Sequence, residues 1–505
     1  MKDNGRSLIS ITERNPDALA VVDGDKELTY SDLLTAALTI AGALHDLGLS
    51  KGDHLLSLLQ NNWQACVLHW ACQLTGIIIT PVNWRSNADE LDYFLTDSGA
   101  LAIVFQDVSA EAVTGAKIAA NVTKISVGRD FGNAQKFEQM IVTSEPMAIG
   151  SMASADDISL MLYTSGTTGA GKGVPRTHLA ERSAAIAHVA QNLYRAHECS
   201  LGVMPLYHTM GVRLLLAMAA VGGCFVCQPR FDAAGALRLI EQHSVSCLYL
   251  VPTLYHDLIS HESFVSTTIS SVRKLGFAGA AMTDGLLQRL DDAFKPDLFV
   301  NHYGSSEIYT FTICDDAVAK PGSAGKAGIN QQIRVVRLDS TRPDDLVANG
   351  TEGQIIASVD SIESFSGYWN RPEADAKALQ HGWYFTGDVG YLDEDGDLFV
   401  TGRVDDMIIS GGENILPAEI ESLLSMHEAV DEVAVVGLPD QRWGQAVTAF
   451  IKKAGQVNEM ELDAYCRKSR LANFKRPRAY IFVEDIPKSP VGKILRRLLR
   501  DAWMA

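Results

Sequence analysis

Short apolar runs alternate with longer amphipathic stretches over the first hundred residues. Leu28-Thr29-Tyr30 leads to Ser31, a predicted N-cap for a helix whose apolar stripe runs Leu33, Leu34, Ala37, Ile40 and Leu44. His54 to Leu59 predicts a strand, Trp63 to Leu74 a helix, Ile77 to Val82 a buried strand, Asp89 to Leu95 a helix and Leu101 to Phe105 a strand. This strand–helix rhythm predicts α/β architecture, a mainly parallel sheet covered by helices. The rhythm continues through a helix at Ala184 to Leu193, the run Phe225-Val226-Cys227, the helix Ala233 to His243 and the strand Cys247 to Val251. Between Gly322 and Phe365 the texture changes to short alternating segments, Ile333 to Arg337 and Gln354 to Ala357, which predict hairpins or a distorted barrel. Past Gly396 to Arg403, Pro417 starts a helix and Val430 to Val436 reads as a strand, leaving about a hundred residues for a small α+β domain.

One break in this pattern carries chemistry. An apolar strand, Ile158 to Tyr163, runs into Thr164-Ser165-Gly166-Thr167-Thr168-Gly169-Ala170-Gly171-Lys172-Gly173. Glycines let backbone N–H groups approach an anion closely, hydroxyls donate to phosphate oxygens, and Lys172 adds positive charge. Gly166 to Lys172 also fits the first seven positions of the P-loop signature, but the eighth, where Ser or Thr holds magnesium, is Gly173.

Length and composition narrow the class. The 505 residues suffice for a large and a small unit, and 47% hydrophobic with 21% charged residues describes an ordinary globular protein. The longest uncharged apolar run, Leu214 to Cys227, has 14 residues, too few for a bilayer span of ~20. A net charge of −18 argues against nucleic acid or an anionic membrane as partner, so any anionic ligand needs a local constellation. The start of the chain has no apolar run like a signal peptide, and Cys224-x-x-Cys227 encloses Phe225 and Val226 as a strand would, without a second pair. Together these predict a reducing, cytoplasmic setting.

Four further segments are rich in ligand-binding residue types. Asn301-His302-Tyr303-Gly304-Ser305-Ser306-Glu307 follows the strand Leu298-Phe299-Val300 and offers a ring, hydroxyls and a carboxylate. Tyr384-Phe385-Thr386-Gly387-Asp388 ends in a carboxylate of the kind that accepts from ribose hydroxyls. The others are Arg403 to Ile415 (RVDDMIISGGENI) and Pro487 to Arg497 (PKSPVGKILRR). Each alone is weak; their joint order is specific. From Tyr30 to Arg497 the chain resembles the adenylate-forming superfamily of acyl-CoA synthetases, luciferases and nonribosomal-peptide adenylation domains. Within it, GRVDDMIISGGENI, Asp440 to Gln445 and Phe474-Lys475-Arg476-Pro477 look most like the benzoate-type CoA ligases.

The resemblance implies a fold of two helix-flanked sheets and a distorted barrel over residues 1–402, a hinge at 403–405, and a mobile α+β domain over 406–505. It implies an AMP-forming acid–CoA ligase using ATP, Mg2+ and coenzyme A: a carboxylate displaces pyrophosphate, and a thiol then displaces AMP. By motif, Thr164, Ser165, Gly166, Thr167, Thr168 and Gly169 cradle the outer phosphates beside Lys172. Tyr303 stacks on adenine, Asn301 reads its amino edge, and Gly279 and Ala280 form the opposite wall. Ser306 meets the α-phosphate, Glu307 orders the metal, and Asp388 and Arg403 hold the ribose. Lys493 reaches both the attacking carboxylate and the α-phosphate. It must then withdraw as the small domain turns about Asp405, bringing Ser410, Gly411, Gly412 and Glu413 to line a pantetheine tunnel with Trp443. Arg85, Lys475 and Arg476 are the candidates for the coenzyme A phosphates. Gly171 stands where the family usually has proline, which predicts a looser exit from the phosphate loop.

The acid is the least determined partner. Within Met204 to Gly211, His208 falls between the acid and phosphate sites, and Ile186, Phe277, Gly304 and Tyr309 are expected pocket walls. Tyr309 and Thr310 are polar for a halogen pocket, which favours a hydroxybenzoate, benzoate or hydroxycinnamate type of acid. A medium-chain fatty acid, a separate carrier protein as acceptor (no carrier domain follows Lys493) and a P-loop ATPase are the competing readings. Oligomeric state stays open, a homodimer included.

Overall fold

The computed structural model describes residues 3–164, 171–469, 471–488 and 494–504. Two large sheets make up most of the chain. The first has seven strands, and in it Gln135–Lys136, Thr123–Val127, Ala102–Gln106, His54–Leu58, Ile78–Pro81 and Ile158–Thr164 lie side by side in parallel. Local signals set its helices. Asn62 caps Trp63–Thr75 and Gly76, at φ 77°, ends it; Asn87 and Glu90 form a capping box on Ala88–Ser98.

The second sheet has nine strands, with Cys199–Gly202, Cys224–Cys227, Cys247–Leu250, Lys274–Phe277 and Leu298–Tyr303 forming its parallel middle. The N-terminal hairpin Leu19–Asp23 and Lys26–Thr29 joins this sheet, not the first: Val21 pairs with Phe225 across some two hundred residues. That hairpin was not foreseen. Nor was the cap that follows it: Thr29 caps the helix Tyr30–Asp46, closing a box with Asp32, and Ser31 already lies in the first turn.

Helices lie between and outside these sheets, and one apolar cluster runs through both, from Leu55 and Trp70 to Phe225 and Tyr255. The predicted hairpin region is a third, antiparallel sheet of Ile333–Val336, Gly353–Ser358, Leu379–Gln380, Trp383–Leu392 and Leu398–Arg403. Its last strand ends at Arg403. A short turn, Val404–Asp406, leads to a fourth sheet built from Ile408–Ser410, Glu413–Ile415, Val430–Asp440, Gly444–Lys453 and Ala479–Val483, with its own apolar core around Ile420, Leu424, Val435 and Ile451. All eight cysteines are free, and Cys224 and Cys227 are strand residues as expected. No helix among the described residues is long and apolar enough to cross a membrane.

Candidate active site

The expected phosphate loop lies between two paired strands. Ile158–Thr164 pairs antiparallel with a strand, Lys172–Thr177, so that Tyr163 faces Gly173 and Thr164 faces Lys172. A Walker-type loop leads from a strand into a helix, and here a strand follows, which removes the P-loop reading. Ser165, Gly166, Thr167, Thr168 and Gly169 lie outside the described residues, but both stems are fixed. The Gly171 carbonyl accepts from the Tyr93 hydroxyl at 2.5 Å, and Arg371 joins Tyr93 at 3.0 Å and Asp97 at 2.5 Å. Tyr163 donates to the same Asp97 at 2.9 Å. A Cβ on Gly171 would stand 2.6 Å from the Thr164 carbonyl oxygen. The loop's exit is therefore tied down, not loosened.

The end of Leu298–Tyr303 meets this hairpin. Ser305 turns the chain by accepting from the N–H groups of Glu307 (3.2 Å) and Ile308 (3.3 Å). Gly304 sits where a Cβ would be 2.1 Å from the Tyr309 carbonyl oxygen, so no side chain fits there. Half-buried Ser306 and buried Glu307 follow. Glu307 accepts from the Tyr368 hydroxyl at 2.7 Å, and the Lys172 ammonium lies 3.9 Å from the centre of the same Tyr368 ring. Burial pulls the Lys172 ammonium below the usual lysine range, with Glu307 opposing. A cation and a hard carboxylate thus lie beside the Thr164 and Lys172 stems, as a polyphosphate and a divalent ion would need.

The third sheet supplies the nucleoside side. Asp388 and Arg403 are paired residues of adjacent strands, 3.3 Å apart through Arg403 Nε, and Tyr303 donates to Asp388 at 2.6 Å. Asn301 donates its amide N–H to the Ser323 carbonyl at 2.8 Å, leaving the amide oxygen as the acceptor that an exocyclic amine requires. Gly279, at φ 83°, and Ala280 form an exposed turn after Lys274–Phe277.

The expected acid walls fall into two groups. His208 caps the helix Thr209–Val221, its Nδ1 accepting from Met210 N–H at 3.3 Å. Met210 approaches within 4.0 Å of the Cβ position of Gly279. Phe277 is 3% exposed and packs edge-on against Phe299, while Ile186 is 44% exposed on the helix His178–Gln191.

Tyr309, only 3% exposed, is walled by residues the sequence did not single out. The Arg176 guanidinium lies 3.9 Å from its ring, pairs with Glu181 at 2.8 Å, and donates to the carbonyls of Glu307 (2.9 Å) and Glu363 (2.6 Å). Arg213 donates to Tyr309 O (3.2 Å), Thr310 Oγ1 (2.8 Å) and the Tyr249 hydroxyl. His188, His302 and Asn192 close the group, with Asn192 within 3.1 Å of a nitrogen of each ring.

On the far domain, Lys493 lies outside the described residues, as does the side chain of Asp405. The stem of the Lys493 segment is formed: Lys488 pairs with Ile494, and Leu495 N–H donates to Pro487 O at 2.8 Å. Arg496 reaches back to the turn before the fourth sheet, 2.6 Å from Glu421 and 3.5 Å from Asp406. Buried Ser410 and exposed Gly411 and Gly412 turn at the edge of this sheet, where a Cβ on Gly411 would meet the Trp443 ring at 2.9 Å. Lys475 and Arg476 are engaged in ion pairs with Glu419 and Asp463. Arg442 and Arg478 instead flank the Trp443 ring, at 4.8 and 5.1 Å. Arg85 lies over Trp84 at 3.9 Å and beside Tyr207, whose phenol burial pushes up to about 12 with Arg85 opposing.

Comparison with known proteins decides the family. The AMP-binding enzyme family matches residues 10–369, and its C-terminal domain matches residues 419–493. The chain belongs to the AMP-binding enzyme family. This AMP-binding enzyme is 32% identical to the long-chain-fatty-acid–CoA ligase FadD13 of Mycobacterium tuberculosis, over 95% of this chain and 94% of that one. It is also 32% identical to a 4-chlorobenzoate–CoA ligase of Arthrobacter sp, over 97% and 93%. Among solved structures it resembles the o-succinylbenzoate coenzyme A synthetase MenE of Bacillus subtilis in complex with ATP and magnesium, with TM-score 0.86, 28% identity and coverage of 98% and 99%.

Proposed function

We propose that this AMP-forming acid–thiol ligase joins a polar aryl acid of the hydroxybenzoate, benzoate or hydroxycinnamate type to coenzyme A. The observation that supports the reading is the clustering of the Thr164 and Lys172 stems, Glu307 with Tyr368, and the Tyr303–Asp388–Arg403 set. ATP fits these residues: Asp388 and Arg403 take the ribose, Asn301 and Tyr303 the adenine, and Lys172 with the hairpin the departing pyrophosphate. Tyr303 must exchange its bond to Asp388 for the ribose as the nucleotide enters. Glu307 would hold magnesium, which when bound offsets phosphate charge. The acid's carboxylate then attacks the α-phosphorus, and pyrophosphate leaves along the hairpin.

His208, at the start of the helix Thr209–Val221, orients the acid's carboxylate. Lys493 from the small domain stabilises charge on both reacting oxygens, and rotation about Asp405 exchanges it for the Ser410–Gly412 edge, Trp443 and a thiol. Arg442 and Arg478 are better placed than Lys475 and Arg476 to meet coenzyme A phosphates there. Arg85, beside Tyr207, remains a candidate on the large domain.

Relatives at equal identity act on fatty and on aryl acids, so identity does not choose between them. The polar wall of Tyr309, Thr310 and Arg213 favours a ring with polar substituents over an alkyl chain. The test is a panel of benzoate, 4-hydroxybenzoate, 4-hydroxycinnamate and octanoate with ATP and coenzyme A, scored for AMP and thioester. Octanoate as the best substrate would refute the aryl assignment. ADP as product would refute the reaction.

A further inference from the structure

The far wall of the acid pocket contains an unusual charge. Arg213 is 3% exposed and makes three hydrogen bonds, all to neutral oxygens, those of Tyr309, Thr310 and Tyr249. Its Nε has no partner, and no carboxylate pairs with it among the described residues. Arg176, a neighbour across the Tyr309 ring, is by contrast matched by Glu181 at 2.8 Å. A buried guanidinium without a counter-charge is costly unless a ligand completes it.

Two more polar atoms share the condition. His188 Nε2 and His302 Nδ1 are buried and unpartnered, on rings 5.1 Å apart that pack against Tyr249 at 4.7 and 5.2 Å. Both rings are neutral, because burial and then Arg213 hold their pKa values well below the usual histidine range. Glu363 lies within electrostatic reach, but its carboxylate takes Asn330 at 2.9 Å as partner and burial raises its pKa. Glu363 therefore offsets Arg213 only through space, and no carboxylate among the described residues pairs with the guanidinium directly.

Its place relative to the reaction is fixed by two elements. Arg213 lies on the helix that His208 caps, five positions on, roughly 7.5 Å along its axis and about 140° around it. The Tyr309 carbonyl that Arg213 holds is the same oxygen that closes on Gly304, at the junction with the nucleotide site.

We propose that Arg213, framed by Tyr249, His188 and His302, is a second anion site that receives a carboxylate or phenolate oxygen at the end of the acid opposite its reacting carboxylate. The proposal rests on the aryl-acid ligase reading and adds the chemical class of the far substituent. Arg213 supplies charge and a free Nε–H, and the neutral histidines can donate or accept without repelling the guest.

The test is calorimetric binding of terephthalate, 4-hydroxybenzoate and 4-methylbenzoate to the wild-type protein with AMP present, followed by R213M and R213K. At least one anion-bearing acid should bind about tenfold or more tightly than 4-methylbenzoate, its near-isostere; which one does so separates carboxylate from phenolate. In R213M that preference should vanish while 4-methylbenzoate binding holds or improves, and R213K should restore part of it. Wild-type preference for 4-methylbenzoate, or an equal loss for all three acids in a folded R213M, would overturn the proposal and leave Arg213 a support for the Tyr309 turn. Selective binding of the anionic acid without AMP or thioester formation would sink the ligase reading instead, leaving the site standing.

Discussion

The two ends of the active site are built on different physical plans. At the nucleotide end, backbone turns and half-exposed side chains meet across sheets, and each charged group has a protein partner that a ligand can displace: Tyr303 on Asp388, Tyr368 on Glu307, Tyr93 on the Gly171 carbonyl. At the proposed acid end, two arginines are sunk among aromatic rings, one paired with Glu181 and the other in no direct ion pair among the described residues. The nucleotide end serves a ligand that does not vary, and flexible exchange of partners is enough. The acid end must distinguish among carboxylates of similar reactivity, and a desolvated charge does this well because an unmatched guest leaves it unpaired.

The sharpest break should come where the ends join. Arg176 lies on the second strand of the hairpin, yet its guanidinium holds the Glu307 carbonyl, the Glu363 carbonyl and the Glu181 carboxylate, and both members of the ion pair are fully buried. Arg176→Met leaves Glu181 charged in an apolar site, at an expected cost of about 3–5 kcal/mol in urea unfolding. R176M with E181L should recover much of that loss, because the pair goes together. A double variant as unstable as the single one would show that the carbonyl contacts, not the charge pair, hold the two ends together.

Next in size is the moving half of the nucleotide end. Lys493→Ala should lower ATP–pyrophosphate exchange by ~10²-fold or more, about 2.7 kcal/mol in the barrier, and still form thioester from supplied acyl-adenylate. Asp405→Pro, which fixes φ in the turn between the third and fourth sheets, should do the reverse. Equal loss of both half-reactions in either variant would count against alternation.

How much was legible follows from the same contrast. The segments proposed for the nucleotide stand out because they are short contiguous strings, and the two parallel sheets could be read because apolar runs recur at strand and helix length. Glycine at 304 is dictated by a carbonyl only five residues on. The acid end could not be read. Arg176, Glu181, His188, Arg213 and Tyr249 come from a strand, two helices and a second strand, and each looks in sequence like an ordinary helix or strand residue. Only burial makes them chemical. Pairing of Val21 with Phe225 was hidden for a related reason, since strand composition does not say which sheet a hairpin joins. Engagement of Lys475 and Arg476 by acids 56 and 13 positions away was likewise beyond any local signal.

Acidification provides a milder test. Burial lowers the pKa of His188 and His302 at the acid end, and of His54 to about 4, His69 to about 3 and His178 to about 4 elsewhere. With folded-state values below the unfolded one, the unfolded chain binds protons first, so stability is complete at neutral pH and falls as pH drops below about 6.5. Each histidine contributes up to about 1.4 kcal/mol per pH unit. Glu363 and Glu421, raised by burial, act in the opposite sense and only partly offset this. Urea midpoints should fall between pH 7 and 5, and His302→Asn should flatten the fall. A flat profile in the parent protein would show that these rings take up protons without unfolding.

The smallest expected effect isolates the nucleotide end from the acid end. Tyr368→Phe removes the hydroxyl that donates to Glu307 at 2.7 Å but keeps the ring 3.9 Å from the Lys172 ammonium. Loss of one hydrogen bond to a carboxylate that would hold magnesium should cost about 1 kcal/mol, near a fivefold rise in the magnesium concentration needed for half-maximal adenylation. Saturating metal should restore kcat, and the ranking of acids should not change, because Tyr368 touches none of Arg213, Tyr309 or the two histidines. A changed ranking would mean that the Glu307 backbone, which Arg176 holds from the acid side, transmits the loss, and that the two ends act as one site.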